Sequence, residues 1–523
     1  MEEIMDSIFT TASGKAYSDG KFYLGRDFEK NLEIGLYLER HAVTIAGSGS
    51  GKGSALIIPN LLRWPSNALV IDTGGGNTIN TWEKREEIGQ QVHVIDPARV
   101  LEGKIPERLF KQFNPLQNLN SNNRTYIEDI SAIADGLVMR HDPKHAYWDN
   151  AGRDIIIGII DYFVTHVDDS DRILTNVRDA ILQSPEQLKL FFSRLSEVDM
   201  PPSCRAGAAI ILGDLERPNG LIANALENTA WLNYKSMTDT LSASTCDLSE
   251  IKTHDCTIYL VIHPDYLIEH ARFLRLFVRV AISAMAKGGE EGKKCLFILD
   301  EFFSLGKIDY LEKAAGLMRK NGVHLWPILQ NFNQLNALYG ESGADNFLAN
   351  SDLLIFFGLD HDVAGQEYVS SRFGKISAAE LTTEVPKAPI PFYFHTDDES
   401  RKFSRDWDRA NYETAKNRYD HLMKNVGFPR LTPQDIATIT GKTDGDSVSR
   451  SMIVLGKAGI RLNLKLCPFF ETQSTKQNQS EIENLEDIYN NKATTANQGC
   501  LSIIFVTVFI ITATLAVMIT LEC

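Results

Sequence analysis

Between residues 41 and 100, short apolar runs alternate with turns rich in glycine and acids. HAVTIA (41–46), NALVID (67–72) and QVHVID (91–96) are runs of strand length closed by Gly or Asp, and KGSALIIPNLLR (52–63) between the first two reads as a helix. Such runs predict strands buried on both faces, as parallel sheets require. Pro59 falls inside the helical run, where the missing N–H and the bulky ring predict a bend or an end.

From about Arg124 to Thr245 the pattern changes to helical spacing, as in YIEDISAIADGLV, WDNAGRDIIIGIIDYFV, SPEQLKLFFSRL and GLIANALENTAWL. Strand and helix then alternate again: CTIYLVIHP, HARFLRLFVRVAISAMA, KCLFILDEF, YLEKAAGLMRKNG, HLWPILQ and DLLIFFGL. The simplest arrangement is an α/β fold with a parallel-sheet core in two chain segments, 41–125 and 246–470, interrupted by an all-α insertion at 126–245. Residues 1–40 read as a lead-in with hairpins, and no internal repeat is present.

The chain has 523 residues, enough for more than one core, and carries a net charge of −15, so no overall basic field draws it to nucleic acid. Its seven cysteines form no CxxC pair and no metal-ligand spacing, and several sit in apolar runs where they read as small buried groups, which suits a reducing cytoplasm. The first residues lack the charged and apolar regions of a signal peptide. At the other end, 471–500 is a polar linker, and LSIIFVTVFIITATLAVMITL (501–521) carries no charge. That length spans roughly 30 Å as a helix, which predicts a C-terminal transmembrane helix acting as a tail anchor.

The turn after the first strand, AGSGSGKGS (46–54), is close to a phosphate-binding loop. Gly47, Gly49 and Gly51 free the backbone around Ser48 and Ser50 so that N–H groups can converge on phosphate, and Lys52 is placed to bridge two phosphates. Ala46 stands where the first glycine is usual, and Gly53 stands where a hydroxyl residue is usual, leaving Ser54 as a possible metal ligand. The second element is CLFILDEF, in which Asp300 and Glu301 tip a buried strand. In phosphoryl transfer the first would hold a Mg²⁺-bound water and the second would polarise the attacking water. Gln330 ends the next strand, HLWPILQ, where a polar group can sense a terminal phosphate. Arg272, Arg275 and Arg279 share one helical face and are expected as a solvated or subunit-facing stripe, and Trp148 is expected in a helical core.

These stretches, in this order from about residue 40 to 470, resemble the type IV coupling proteins, the TraG-like ATPases of conjugation and type IV secretion. The resemblance rests on GKGSALIIPNLLRWP, VHVIDP with FNPL, WDNAGRDIIIGII and DLSEIKTHDCTIYLVIHPDYL. It rests most on LDEFFSLGKIDYLEKAAGLMRKNGVHLWPILQNFNQLNALYG (299–340), and also on RLTPQDI and SRSMIVLGKAGIRLNLKLCPFF. It implies a RecA-like P-loop NTPase domain that takes ATP and Mg²⁺, a helical insertion that recruits substrate, and a homo-hexameric ring. Gly after the loop lysine is habitual in that family. Arg319 stands where ring ATPases place an arginine that reaches the neighbouring subunit's nucleotide, and Arg372, in SSRFGK, is a second candidate. The chain departs from the family at Asp72-Thr73-Gly74-Gly75-Gly76, where D-x-K-G-E is usual, and in carrying its anchor at the tail.

The implied function is ATP-driven delivery of a relaxase–DNA complex or protein effectors to a type IV secretion channel, from a cytoplasmic body tethered to the bacterial inner membrane. The alternative is a substrate receptor that binds nucleotide, or none, without productive hydrolysis. A chromosome-segregation translocase would instead carry a multi-span N-terminus and a small winged-helix tail.

Overall fold

The computed structural model describes residues 8–376 and 427–470, apart from 140–142, 219, 309, 312–317, 443–448 and 450, together with 413, 414 and 417. The anticipated linker and tail anchor at 471–521 lie outside the described residues. Among those described, no helix is long and apolar enough to cross a membrane.

Eleven strands form one sheet. They are β1 (Phe22–Arg26), β2 (Glu33–Leu36), β3 (His41–Ala46), β4 (Asn67–Thr73), β5 (Gln91–Ile95) and β6 (Cys256–Ile262), followed by β7 (Cys295–Leu299), β8 (Val323–Leu329), β9 (Ser351–Phe357), β10 (Ser451–Gly456) and β11 (Arg461–Lys465). Their spatial order is β2-β1-β11-β10-β9-β3-β8-β7-β4-β6-β5. From β9 to β5 every pairing is parallel. From β9 outward through β10, β11, β1 and β2 every pairing is antiparallel. The sheet is therefore mixed rather than parallel throughout, and the lead-in hairpin is part of it. The hairpin β10–β11 has a short return, Lys457–Gly459, which permits antiparallel pairing, whereas the central strands are joined by crossovers.

Alternation along the central strands feeds two cores. Val43, Ile45, Leu69 and Ile71 face the helical insertion, while Ala42, Ala46, Ala68 and Val70 face the helix that follows the glycine loop. That helix opens with a π-helical stretch, Lys52–Ile57, and continues as α-helix over Ile58–Arg63. The wide turn sits just before Pro59: Ile58 N–H reaches back to Gly53 O, five residues away. A π-turn relieves the clash that Pro59 would impose on a regular helix, so the proline changes the pitch without breaking the segment. Asn60, also buried, fastens the helix to β1 by donating to Tyr23 O at 2.9 Å and accepting from Tyr23 N–H at 2.8 Å.

Among the described residues between Tyr126 and Leu241, the insertion forms helices and no strand. Its two long helices, Ala146–His166 and Pro202–Glu216, cross where Gly158 meets Gly207. A Cβ on Gly158 would stand 2.8 Å from Ser203 O, so the crossing depends on its absence. The arginine stripe is not solvated. Arg275 is buried, and its guanidinium donates to the carbonyls of Val138, Asp135, Leu305 and Lys307, while Arg279 lies 4.1 Å from the centre of the Tyr310 ring. Arg272 is mostly covered and pairs with Glu227 at 3.8 Å. A guanidinium whose two terminal nitrogens meet main-chain carbonyls is held without a carboxylate, which explains how an arginine face can be an internal seam. Trp148 differs from expectation in the other direction and is 37% exposed beside Tyr147.

Candidate functional site

The carboxyl ends of the parallel strands are where α/β sheets place ligands, and three of them converge here. β3 ends in the glycine loop, β7 ends at Asp300-Glu301, and β8 ends at Gln330. Lys52 Nζ lies 2.9 Å from Asp300 Oδ1 and 2.5 Å from Glu301 Oε1. Gln330 Nε2 donates to the other oxygen of Glu301 at 2.9 Å. The four residues form one connected cluster across loop positions nearly 250 residues apart in sequence.

Glu301 has φ 54° and ψ 43°, in the left-handed region that costs a non-glycine residue on the order of 1 kcal/mol or more. Its carbonyl is held by Ser304, whose N–H donates at 2.9 Å and whose hydroxyl donates at 2.7 Å. The unusual backbone turns the carboxylate from the strand axis toward Lys52 and Gln330. Burial pushes the Asp300 carboxyl above its ordinary range, against the opposing pull of Lys52. For Lys52, burial acts to lower the ammonium, but Asp300 and Glu301 outweigh it and the net shift is upward. The lysine is therefore a fixed cation, available to phosphate oxygens once it leaves the acids.

The loop has the shape that phosphate requires. Gly49 and Gly51 take φ of 70° and 96°. Among the described residues the N–H groups of Gly49, Gly51, Lys52 and Gly53 have no acceptor, and they stand at the entrance to a helix. A Cβ on Gly47 would stand 2.3 Å from Gly358 O, so the loop passes against the end of β9 with no room for a side chain. Ser50 is buried and bonds back to Gly47 O at 2.6 Å through its hydroxyl. Ser54 Oγ is 3.4 Å from Gly51 O, turned along the loop. A cation, loop N–H donors without acceptors among the described residues and a hard carboxylate oxygen on Asp300 suit a nucleoside triphosphate with a divalent metal.

Asp72 has a structural role at the tip of β4. It is 1% exposed and accepts from Thr78 N–H at 2.7 Å, Thr78 Oγ1 at 2.6 Å and Asn77 N–H at 3.2 Å, so it caps the helix Gly76–Glu87. Burial raises its carboxyl, and the Asp300 charge adds to the effect. Arg319 is not brought to this cluster within the chain. It precedes β8, at the opposite edge of the sheet, and pairs with Glu39 at 3.3 Å. β8 has seven residues, so the two edges stand about 20 Å apart. Arg372 lies on the Arg319 side, lining a groove of about 740 Å³ with Arg40, Lys457 and Arg461.

Sequence reasoning missed one wall of the site. Described residues at and after the end of the helix Pro433–Thr440 stand against the loop and the end of β9: Gly358 N–H donates to Thr440 O at 2.7 Å, and Ser449 N–H donates to Ser50 O at 2.9 Å. Lys442 Nζ is 3.3 Å from Gly49 O. No local pattern announces such contacts, because each has a main-chain carbonyl as acceptor and partners distant in sequence.

Residues 2–402 match the family model described as type IV secretory system conjugative DNA transfer. The chain is 25% identical over 360 residues to the conjugal transfer protein TraG of Rhizobium radiobacter, which covers 67% of this chain and 54% of that protein. It is 24% identical over 371 residues to protein VirD4 of Rhizobium rhizogenes, covering 68% and 53%. It thus spans about half the length of these relatives. Among solved structures, the bacterial conjugative coupling protein TrwBdeltaN70 shares the fold at a TM-score of 0.55 and 12% identity, over 89% of this chain and 91% of that one. The plasmid coupling protein TrwB in complex with ADP and Mg²⁺ aligns at 0.52 and 14%, over 89% and 91%. With its family match covering most of its length, this chain belongs to the type IV secretory system conjugative DNA-transfer family.

Proposed function

We propose that this chain is a membrane-tethered, ATP-hydrolysing coupling protein that delivers substrate, either a relaxase–DNA complex or protein effectors, to a type IV secretion channel. The observation that carries the reading is the convergence of Lys52, Asp300, Glu301 and Gln330 at the carboxyl edge of the sheet. A receptor without hydrolysis has no need to hold a glutamate in a strained backbone against both a loop lysine and a glutamine.

In this reading the loop amides from Gly47 to Ser54 and the Lys52 ammonium hold the phosphates. Asp300 would hold Mg²⁺, with Ser54 as a further oxygen donor. Bound Mg²⁺ would neutralise charge on the phosphate oxygens. Glu301 accepts a proton from the attacking water, and Gln330, bonded to Glu301, links loss of the terminal phosphate to the helix Phe332–Ala349 that follows it. Lys52 must exchange its acids for phosphate when nucleotide enters, which frees Glu301 Oε1 for water. Arg319 acts on the neighbouring subunit's nucleotide in a ring, consistent with its place on the opposite edge, and Arg372 is the second candidate for that part. The lobe at 126–245 recruits cargo. Residues 501–521 anchor the chain in the inner membrane, with the nucleotide-binding body cytoplasmic.

The test is transfer of cargo by a host from which this chain has been deleted and then restored. Wild type should restore transfer, and Lys52→Ala and Glu301→Gln should not, at equal protein levels. Normal transfer with Lys52→Ala would remove nucleotide from the mechanism.

A further inference from the structure

The phosphate site has a direction. Glu301 and Gln330 belong to β7 and β8, so the end of a triphosphate that meets water lies on that side of the loop. The strand that carries the loop, β3, has β8 on that side and β9 on the other. A nucleotide laid along the loop with its terminal phosphate toward β8 must carry its nucleoside toward β9.

On that side stand Thr440, Gly441, Lys442 and Ser449, at and after the end of the helix Pro433–Thr440. Thr440 O accepts from Gly358 at the end of β9, and Ser449 N–H donates to the loop at Ser50 O. Gly441 stands against Asp360, with no space for a side chain between them. From this anchored position the exposed Lys442 side chain reaches to Gly49 O, at the tip of the loop. The amine meets the loop at one end and the backbone follows Gly441 at the other, so the four-carbon stem spans from the end of β9 to the tip of the loop. Lysine stems cover apolar surface while their heads stay polar.

We propose that Lys442 is a specificity-determining residue for the nucleoside half of the bound nucleotide: its stem packs on the base and ribose while its ammonium holds the loop carbonyl. This rests on the nucleotide-binding reading above. A pure brace of the loop would serve the phosphates alone, and the two roles separate by ligand.

The experiment titrates full-length chain with a non-hydrolysable ATP analogue, with ADP and with inorganic tripolyphosphate, for wild type, Lys442→Ala, Lys442→Met and Lys52→Ala. Lys442→Ala should weaken the two nucleotides about tenfold through lost apolar cover, and leave tripolyphosphate within about twofold. Lys442→Met, which keeps the stem, should recover most of the loss. Equal weakening of tripolyphosphate, a methionine variant as weak as alanine, or no change at all would each overturn the proposal. If Lys442→Ala is silent while Lys52→Ala abolishes binding, only this inference fails. If wild type binds none of the three ligands, the nucleotide reading fails and takes this inference with it.

Discussion

Glu301→Gln should separate binding from turnover, with opposite signs. The change keeps the side chain's size and its contact with Gln330 but removes one negative charge. Lys52 is held by Asp300 at 2.9 Å and Glu301 at 2.5 Å, with the Lys52 and Glu301 side chains each 20% exposed. Two unit charges about 4 Å apart attract by roughly 4 kcal/mol at an effective dielectric of about 20. Exposure and the cost of fixing two flexible side chains reduce the net to about 1 kcal/mol. The variant frees Lys52 by that amount and relieves repulsion between Glu301 and the incoming phosphates. The dissociation constant of a non-hydrolysable ATP analogue should therefore fall about fivefold. Turnover should drop by about 10²-fold or more as the proton acceptor is lost. The assay pairs equilibrium titration with steady-state phosphate release. Unchanged turnover would remove Glu301 from the chemistry, and weaker analogue binding would show that the Lys52 contacts do not compete with phosphate.

Three other changes test separate parts of the account. Gly47→Ala places a Cβ against Gly358 O, so melting should show a loss of about 1–3 kcal/mol and titration a weaker nucleotide site; wild-type behaviour would show that the loop need not pass so close to β9. Arg275→Ala strips a donor from buried carbonyls and should cost about 2–4 kcal/mol in denaturant unfolding, where a solvated arginine would cost less than about 0.5. Burial above all pushes His324 down to about 4, from 6.5, and its neutral Nδ1–H donates to Arg40 O. Its folded value is the lower one, so its contribution is present above pH 6.5 and is lost as pH falls toward about 4, by about 2 kcal/mol at pH 5. His324→Gln keeps a donor without titrating and should lose less stability between pH 7 and 5; parallel losses would exclude this histidine.

The site was legible where an apolar run ends in a polar tip. HAVTIA before the glycines, CLFIL before Asp300 and HLWPIL before Gln330 each specify a buried strand whose next residue stands at the sheet edge, and a shared sheet brings those edges together. The contacts of Lys442 and Ser449 with the loop were not legible: Ser449 uses a backbone N–H that every residue carries, and the Lys442 ammonium meets a main-chain carbonyl nearly 400 residues away in sequence. The burial of Arg275 was hidden for the same reason: its partners are main-chain oxygens. The strand SMIVLG was present as an apolar run, but whether it joins β9 parallel or antiparallel depends on the intervening chain. Asp72 looked like a third acid at the strand ends, yet its oxygens are taken up by the helix start at Asn77 and Thr78.

The most direct test of the central claim is ATP turnover by the purified chain with Mg²⁺, with and without single-stranded DNA, beside Lys52→Ala. The account predicts turnover that the substitution abolishes, with stimulation by the DNA if the cargo is nucleic acid. A wild-type chain that binds ATP yet releases no phosphate under either condition would contradict it and leave a nucleotide-binding receptor in its place.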